Sequence, residues 1–253
     1  MIFKFPQKKI VLDCFTNRPS VIKLSPISPA IMHTPNWWKV LPNSYRPKNT
    51  PFDFDRATMK SCDGMIDYYK ESVVIPMWSD LAISIDKNNK KYHWQFSDGI
   101  SNVGSHAVEQ SSGFLSSYFS LKLISPWLFK TKEDIKWVWS HPVYNYEKSN
   151  DVVSLPAIVS YRYQTANHIH LFISFEKNQT IIIPHGQPMV FMTPMTDRKV
   201  EVVRHLVSDA EYIKIHGNSE KISFKNKYKK IIASAKQFEK CPFKNHMEVN
   251  NDY

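Results

Sequence analysis

The chain is poor in glycine and cysteine. Six glycines stand against sixteen prolines. Turns must therefore draw on Pro, Asn, Asp and Ser, and helix-breaking prolines are spread along the whole length. The three cysteines, Cys14, Cys62 and Cys241, lie far apart and no C-x-x-C occurs. This argues against a disulfide framework or a cysteine zinc site and fits a reducing cytoplasm. There is no apolar run of about eighteen residues, so no membrane-spanning helix is expected. The first fifteen residues, MIFKFPQKKIVLDCF, lack a long apolar run and a small-residue cleavage site, so no secretory signal is expected either. Also absent are the G-x-S-x-G elbow, H-E-x-x-H, and the phosphate-binding glycine loops.

Bulk and positive charge are present. The apolar share is 42%, with seven Trp, twelve Tyr and fifteen Phe among 253 residues. That suffices for one large β domain or two small ones. The net charge of +10 favours contact with nucleic acid, an anionic surface or an acidic partner. The lysines are scattered except near the C-terminus.

Short apolar runs punctuated by turn residues dominate the pattern. Strands are expected over residues 10–15 and 21–24, with Asn17-Arg18-Pro19-Ser20 as the turn between them. A proline-punctuated stretch, 25–51, contains one helical turn around Trp37 and Trp38. Cys62-Asp63-Gly64 starts a short helix. Strands at 73–75, 77–85 and 91–96 follow, the last two joined by a hairpin turn at 86–90. Residues 97–113 read as a loop, then strands are expected over 114–124, 135–139, 152–163 (interrupted by Pro156), 168–175 and 180–183. After a turn at Pro184-His185-Gly186-Gln187-Pro188 comes 189–192. Residues 180–192 should form an antiparallel pair through that turn, with Gly186 at positive φ. Residues 196–216 start as a strand and end as a helix, and 223–238 have helical spacing with lysines between the apolar positions.

The expected fold is mainly β, a sandwich or barrel-like (jelly-roll or dUTPase-like closing strands), with one or two peripheral helices including a C-terminal one. Three segments are expected within one domain: 1–57 (N-terminal strands and a proline-rich arm), 58–216 (the main β body) and 217–253 (a basic helix and tail).

Four pieces in this order carry a resemblance: Cys62-Asp63-Gly64-Met65-Ile66-Asp67-Tyr68 with Val74-Ile75-Pro76-Met77-Trp78-Ser79-Asp80; LKLISPWLFKT at 121–131; Leu155-Pro156-Ala157-Ile158-Val159; and Ile183-Pro184-His185-Gly186-Gln187-Pro188. Together, over residues 35–195, they resemble a family of uncharacterised proteins of large tailed phages, especially of marine bacteria, and of some bacteria. The family has no established activity, so the resemblance implies a source rather than a chemistry. The last unit also looks like the closing strands of dUTPase-type folds. That family's catalytic aspartate has no counterpart at Val159-Ser160-Tyr161, so nucleotide hydrolysis is not implied.

His168 and His170, two apart on an expected strand, point to one face as two metal ligands require, and Glu176 shares their parity. The arrangement resembles the first metal motif of cupins, and Pro184-His185-Gly186 resembles the turn of the second. However, Met189 stands where that family's last ligand would be. Against this stands a half-exposed strand pair with no metal. Asp63, Asp67 and Asp80 flank an aromatic segment and offer either acid–base work or turn caps. Trp127, Trp137 and Trp139 offer either core or an aromatic groove. Lys225, Lys229 and Lys230 on the C-terminal helix offer either a solvated face or contact with phosphates.

The leading expectation is a non-enzymatic structural, assembly or interaction protein of phage type, in host cytoplasm or virion, with protein partners or self-association and no cofactor. The alternatives are a cupin-like metal-dependent enzyme using His168, His170 and Glu176, and a basic nucleic-acid-binding module using Lys225, Lys229 and Lys230.

Overall fold

The computed structural model describes residues 8–48, 54–106, 117–146, 152–220 and 247–248. In chain order, strand β1 (Ile10–Thr16) leads into helix α1 (Pro19–Leu24), then β2 (Ser28–Pro29), α2 (Asn36–Val40), β3 (Ser44–Tyr45) and β4 (Arg56–Ala57). Helix α3 (Asp63–Glu71) precedes β5 (Val73–Pro76), β6 (Leu81–Asp86), β7 (Lys91–Phe96), β8 (Val103–Ser105) and the long β9 (Tyr118–Lys130). There follow β10 (Trp137–Ser140), β11 (Val152–Ser154), β12 (Ala157–Val159), β13 (Ala166–Ser174), β14 (Gln179–Ile183), β15 (Pro188–Pro194) and β16 (Val200–Leu206). Helix α4 (Asp209–Glu220) and β17 (Met247–Glu248) come last.

The protein is mainly β and sandwich-like. Among the described residues the sheets do not close into a barrel. A front sheet runs β11-β13-β9-β1-β16-β17, with β8 also on β9; a back sheet runs β12-β10-β15-β5-β2; a wing sheet is β14-β6-β7. One core cluster joins their inner faces: Leu12, Leu123 and Leu171 from the front, Ile75, Trp137 and Met192 from the back, Leu81, Ile83 and Phe96 from the wing. Strand alternation does this. On β13 every second residue from Ile169 is buried, while His168, His170, Phe172 and Ser174 are half-buried on the other face. Helix α3 packs Met65 and Tyr69 behind the back sheet against Val74 and Phe191. Helix α4 opens with a reciprocal cap in which Ser208 N–H donates to Glu211 and Glu211 N–H to Ser208 Oγ. It buries Ile215 against Phe15, Leu128 and Ala166 on the front sheet's outer face.

Two expectations need correction. Residues 19–24 are helical, not a strand. Pro19 sits in the first turn, where its fixed φ suits a helix, and tertiary burial of Val21 and Ile22 outweighs their β preference. Residues 180–192 do not pair with each other: β14 pairs with β6, and β15 with β5 and β10. Two antiparallel ribbons, β5–β6 and β14–β15, instead bend together from the back sheet into the wing.

The bend is held by Met77 N–H to the Gln187 carbonyl and Gly186 N–H to the Met77 carbonyl, both 2.8 Å, and by His185 N–H to Asp80 Oδ1 at 2.8 Å. The turn itself has Gln187 N–H on the Pro184 carbonyl and Gly186 at φ +79°, as a type II turn demands at its third position. Strand β8, inside the expected loop 97–113, was also unforeseen. The N-terminal strand β1 lies between β9 and β16.

Candidate functional site

The front sheet's outer face brings His168 and His170 together as expected. His170 Nδ1 lies 2.9 Å from Nε2 of His106, and the two rings stack at 4.8 Å. Lys122 is the register partner of His170 on β9. Burial, then the neighbouring positive groups Lys122, His170, His216 and His106, push His168 down to about 4. Burial, His106 and Lys122 do the same to His170. Both imidazoles are therefore held neutral at neutral pH. His168 Nδ1 is buried without a hydrogen-bond partner among the described residues.

Glu176 is not part of this group. Strand β13 ends at Ser174, four residues past His170 and roughly 13 Å along the strand, and Glu176 lies exposed beyond it. Among the described residues no three His, Cys, Asp or Glu side chains converge to hold a metal ion.

The remaining candidates separate. Asp63 and Asp67 lie exposed on α3, whereas Asp80 serves the bend through His185. Trp127 and Trp137 are fully buried and Trp139 nearly so, with Trp139 Nε1 donating to the Tyr161 hydroxyl at 2.6 Å. They are core, not a stacking groove. Lys225, Lys229, Lys230 and the helix expected over 223–238 lie outside the described residues.

A cleft among the described residues was missed by sequence reasoning. It has a volume of about 750 Å3 and lies between the inner side of β16 and the segment that follows α1. Val200, Val202 and Arg204, alternate residues of β16, all line it. Opposite are Pro26, Ile27 and Val73, with Leu24 and Met32 also on the lining.

Its serines are already engaged. Ser28 Oγ lies 2.8 Å from His33 Nε2, and Ser72 Oγ lies 2.7 Å from Thr193 Oγ1. Ser25 Oγ donates to the Met77 carbonyl at 3.2 Å, which leaves it to accept from His185 Nε2 at 2.5 Å. Arg204 is half-buried, and burial lowers its pKa. No carboxylate among the described residues pairs with it. The one sequence signal was an arginine in the KVEVVRHL run where alternation calls for an apolar residue.

A second feature adjoins the cleft. The chain from Met32 to Val40 carries large apolar side chains in water: Met32 is 69% and Val40 80% exposed. Trp37 shares the face of α2 with Val40 and donates to the Tyr144 carbonyl at 3.0 Å. Val143, next in chain to Tyr144, is also exposed.

No protein-family model and no curated protein matches the chain. No helix among the described residues is long and apolar enough to cross a membrane.

Proposed function

We propose that this chain is a non-enzymatic assembly or interaction protein of the phage type its motifs resemble, and that it self-associates through the apolar face around α2. The observation that supports the reading is that Met32, Trp37 and Val40, and Val143 beside the Tyr144 that Trp37 bonds, are each exposed among the described residues. Large apolar and aromatic side chains on a surface mark the centre of protein interfaces more often than any catalytic role. Cytoplasm or virion as its location belongs to the same proposal.

The net charge of +10 repels like copies, and salt screens that repulsion. Apolar self-association should therefore persist or strengthen with salt, whereas binding to nucleic acid would weaken. Sedimentation velocity over a range of protein and salt concentrations tests this. The wild type should form concentration-dependent oligomers that Trp37→Glu with Val40→Glu reduces to monomers. A wild type that is monomeric throughout, or oligomers that salt disperses, would contradict the proposal.

A further inference from the structure

We propose that the cleft under β16 is a binding site for a small amphipathic anion, a molecule with one acidic head and an apolar body. The cleft's volume of about 750 Å3 falls within the roughly 300–1,000 Å3 typical of small-molecule sites. Its composition also fits such a site, being mostly apolar with few convergent polar groups.

The floor is directional. Val200, Val202 and Arg204 follow one another on the same side of β16, about 13 Å from first to last at strand rise. An elongated apolar body along the valines would bring its head to the guanidinium. Arg204 is the group that asks for a ligand. A half-buried guanidinium has lost much of its hydration, and with no carboxylate partner among the described residues that loss goes uncompensated. A carboxylate or phosphate matches its fork of donors in a bidentate pair.

The other charged groups on the lining are Lys70, Lys199 and Glu71, all exposed. Three cations against one carboxylate leave the cleft positive, so an anion is drawn in. The serines cannot supply the main recognition, because their hydroxyls already bond to Met77, His33, His185 and Thr193. Recognition therefore divides into a charge term at Arg204 and a burial term along Val200 and Val202.

Titration calorimetry of the full chain with decanoate, decyl phosphate, decanol and acetate separates the two terms. Decanoate or decyl phosphate should bind. Decanol, without the charge, and acetate, without the body, should each bind at least about tenfold more weakly, since a charge-assisted hydrogen bond or a few buried methylenes each account for that factor. Arg204→Met should lose about tenfold or more in affinity for decanoate while leaving decanol unchanged. Arg204→Lys should recover part of the loss. Val202→Phe, which fills the floor and keeps the arginine, should weaken both ligands alike. Circular dichroism of each variant checks that it is folded.

The proposal is overturned if decanol binds as tightly as decanoate, if folded Arg204→Met binds decanoate like the wild type, or if no soluble amphiphile binds. It is also overturned if the chain ignores soluble decanoate and sediments only with phosphatidylglycerol vesicles, which would make the cationic surface a membrane-facing one.

Discussion

The inner face of the front sheet serves two purposes along its width. On β9 and β13 it is sealed: Leu121, Leu123, Ile169, Leu171 and Ile173 are packed under the wing and back sheets in one core cluster. On β16, two strands away from β9, the same alternation presents Val200, Val202 and Arg204 to an open cleft, the two valines only partly buried at the margin of that cluster. β16 pairs in parallel with β1 whereas β9 and β13 pair antiparallel, but the alternation of side chains between faces is the same. What differs is the covering. The paired ribbons β5–β6 and β14–β15 bend over the middle of the sheet, whereas β16 looks across the cleft to the proline-rich stretch after α1 and to the near edge of those ribbons at Val73, Pro76 and Gly186. An inward-pointing residue is therefore core or lining according to what arrives from distant parts of the chain.

Substitutions that shorten side chains on the two strands should separate these cases most clearly. Leu171→Ala leaves a hole in close-packed surroundings and should cost about 2–5 kcal/mol. Val202→Ala, on a wall that already borders open space, should cost about 1 kcal/mol or less. Denaturant titration of both proteins measures the difference. Equal costs would mean that the two halves are packed alike.

The bend should come next in effect. At Gly186, φ is +79° and an added Cβ would meet nothing within 4 Å. The cost of Gly186→Val is therefore one of backbone conformation, about 1–3 kcal/mol. Gly186→Asn, which tolerates the left-handed region better, should cost less. A thermal melt of the valine variant matching the wild type would show that the turn adopts another form.

The smallest effect is on the front sheet's outer face and shows only when pH is varied. His168 and His170 have folded pKa values near 4 against an ordinary 6.5. Between those values the unfolded chain takes up protons that the folded one refuses. Their stabilising contribution is thus complete above about pH 6.5 and is lost as pH falls towards 4. His168→Gln with His170→Gln should flatten the pH dependence of the unfolding midpoint across that window. An unchanged slope would mean that other groups govern it.

Much of this architecture was legible in local pattern. The strand at 10–15, the hairpin at 86–90, the α3 start at Cys62-Asp63-Gly64, the shared face of His168 and His170, and the positive φ of Gly186 all follow from alternation, turn chemistry or the missing Cβ of glycine. What was not legible depended on partners far apart in sequence. Residues 180–183 and 189–192 look like a hairpin because both are apolar runs around a turn. Their separation into two sheets is decided by β6 and β5, about a hundred residues earlier. The helix at 19–24 required the buried site that receives Val21 and Ile22. Arg204 stood out of its pattern, but a single arginine in an alternating run does not reveal whether it faces water, a carboxylate or a cleft.

Hydrogen exchange of the full chain with and without saturating decanoate tests the contrast between sealed and open halves most directly. Bound ligand should slow exchange at residues 24–29 and 199–204 and leave 121–129 and 169–173, already protected by their packing, unchanged. Slowing spread evenly over the sheet, or confined to the outer face around His168 and His170, would contradict the assignment of β16 as the wall of a ligand cleft.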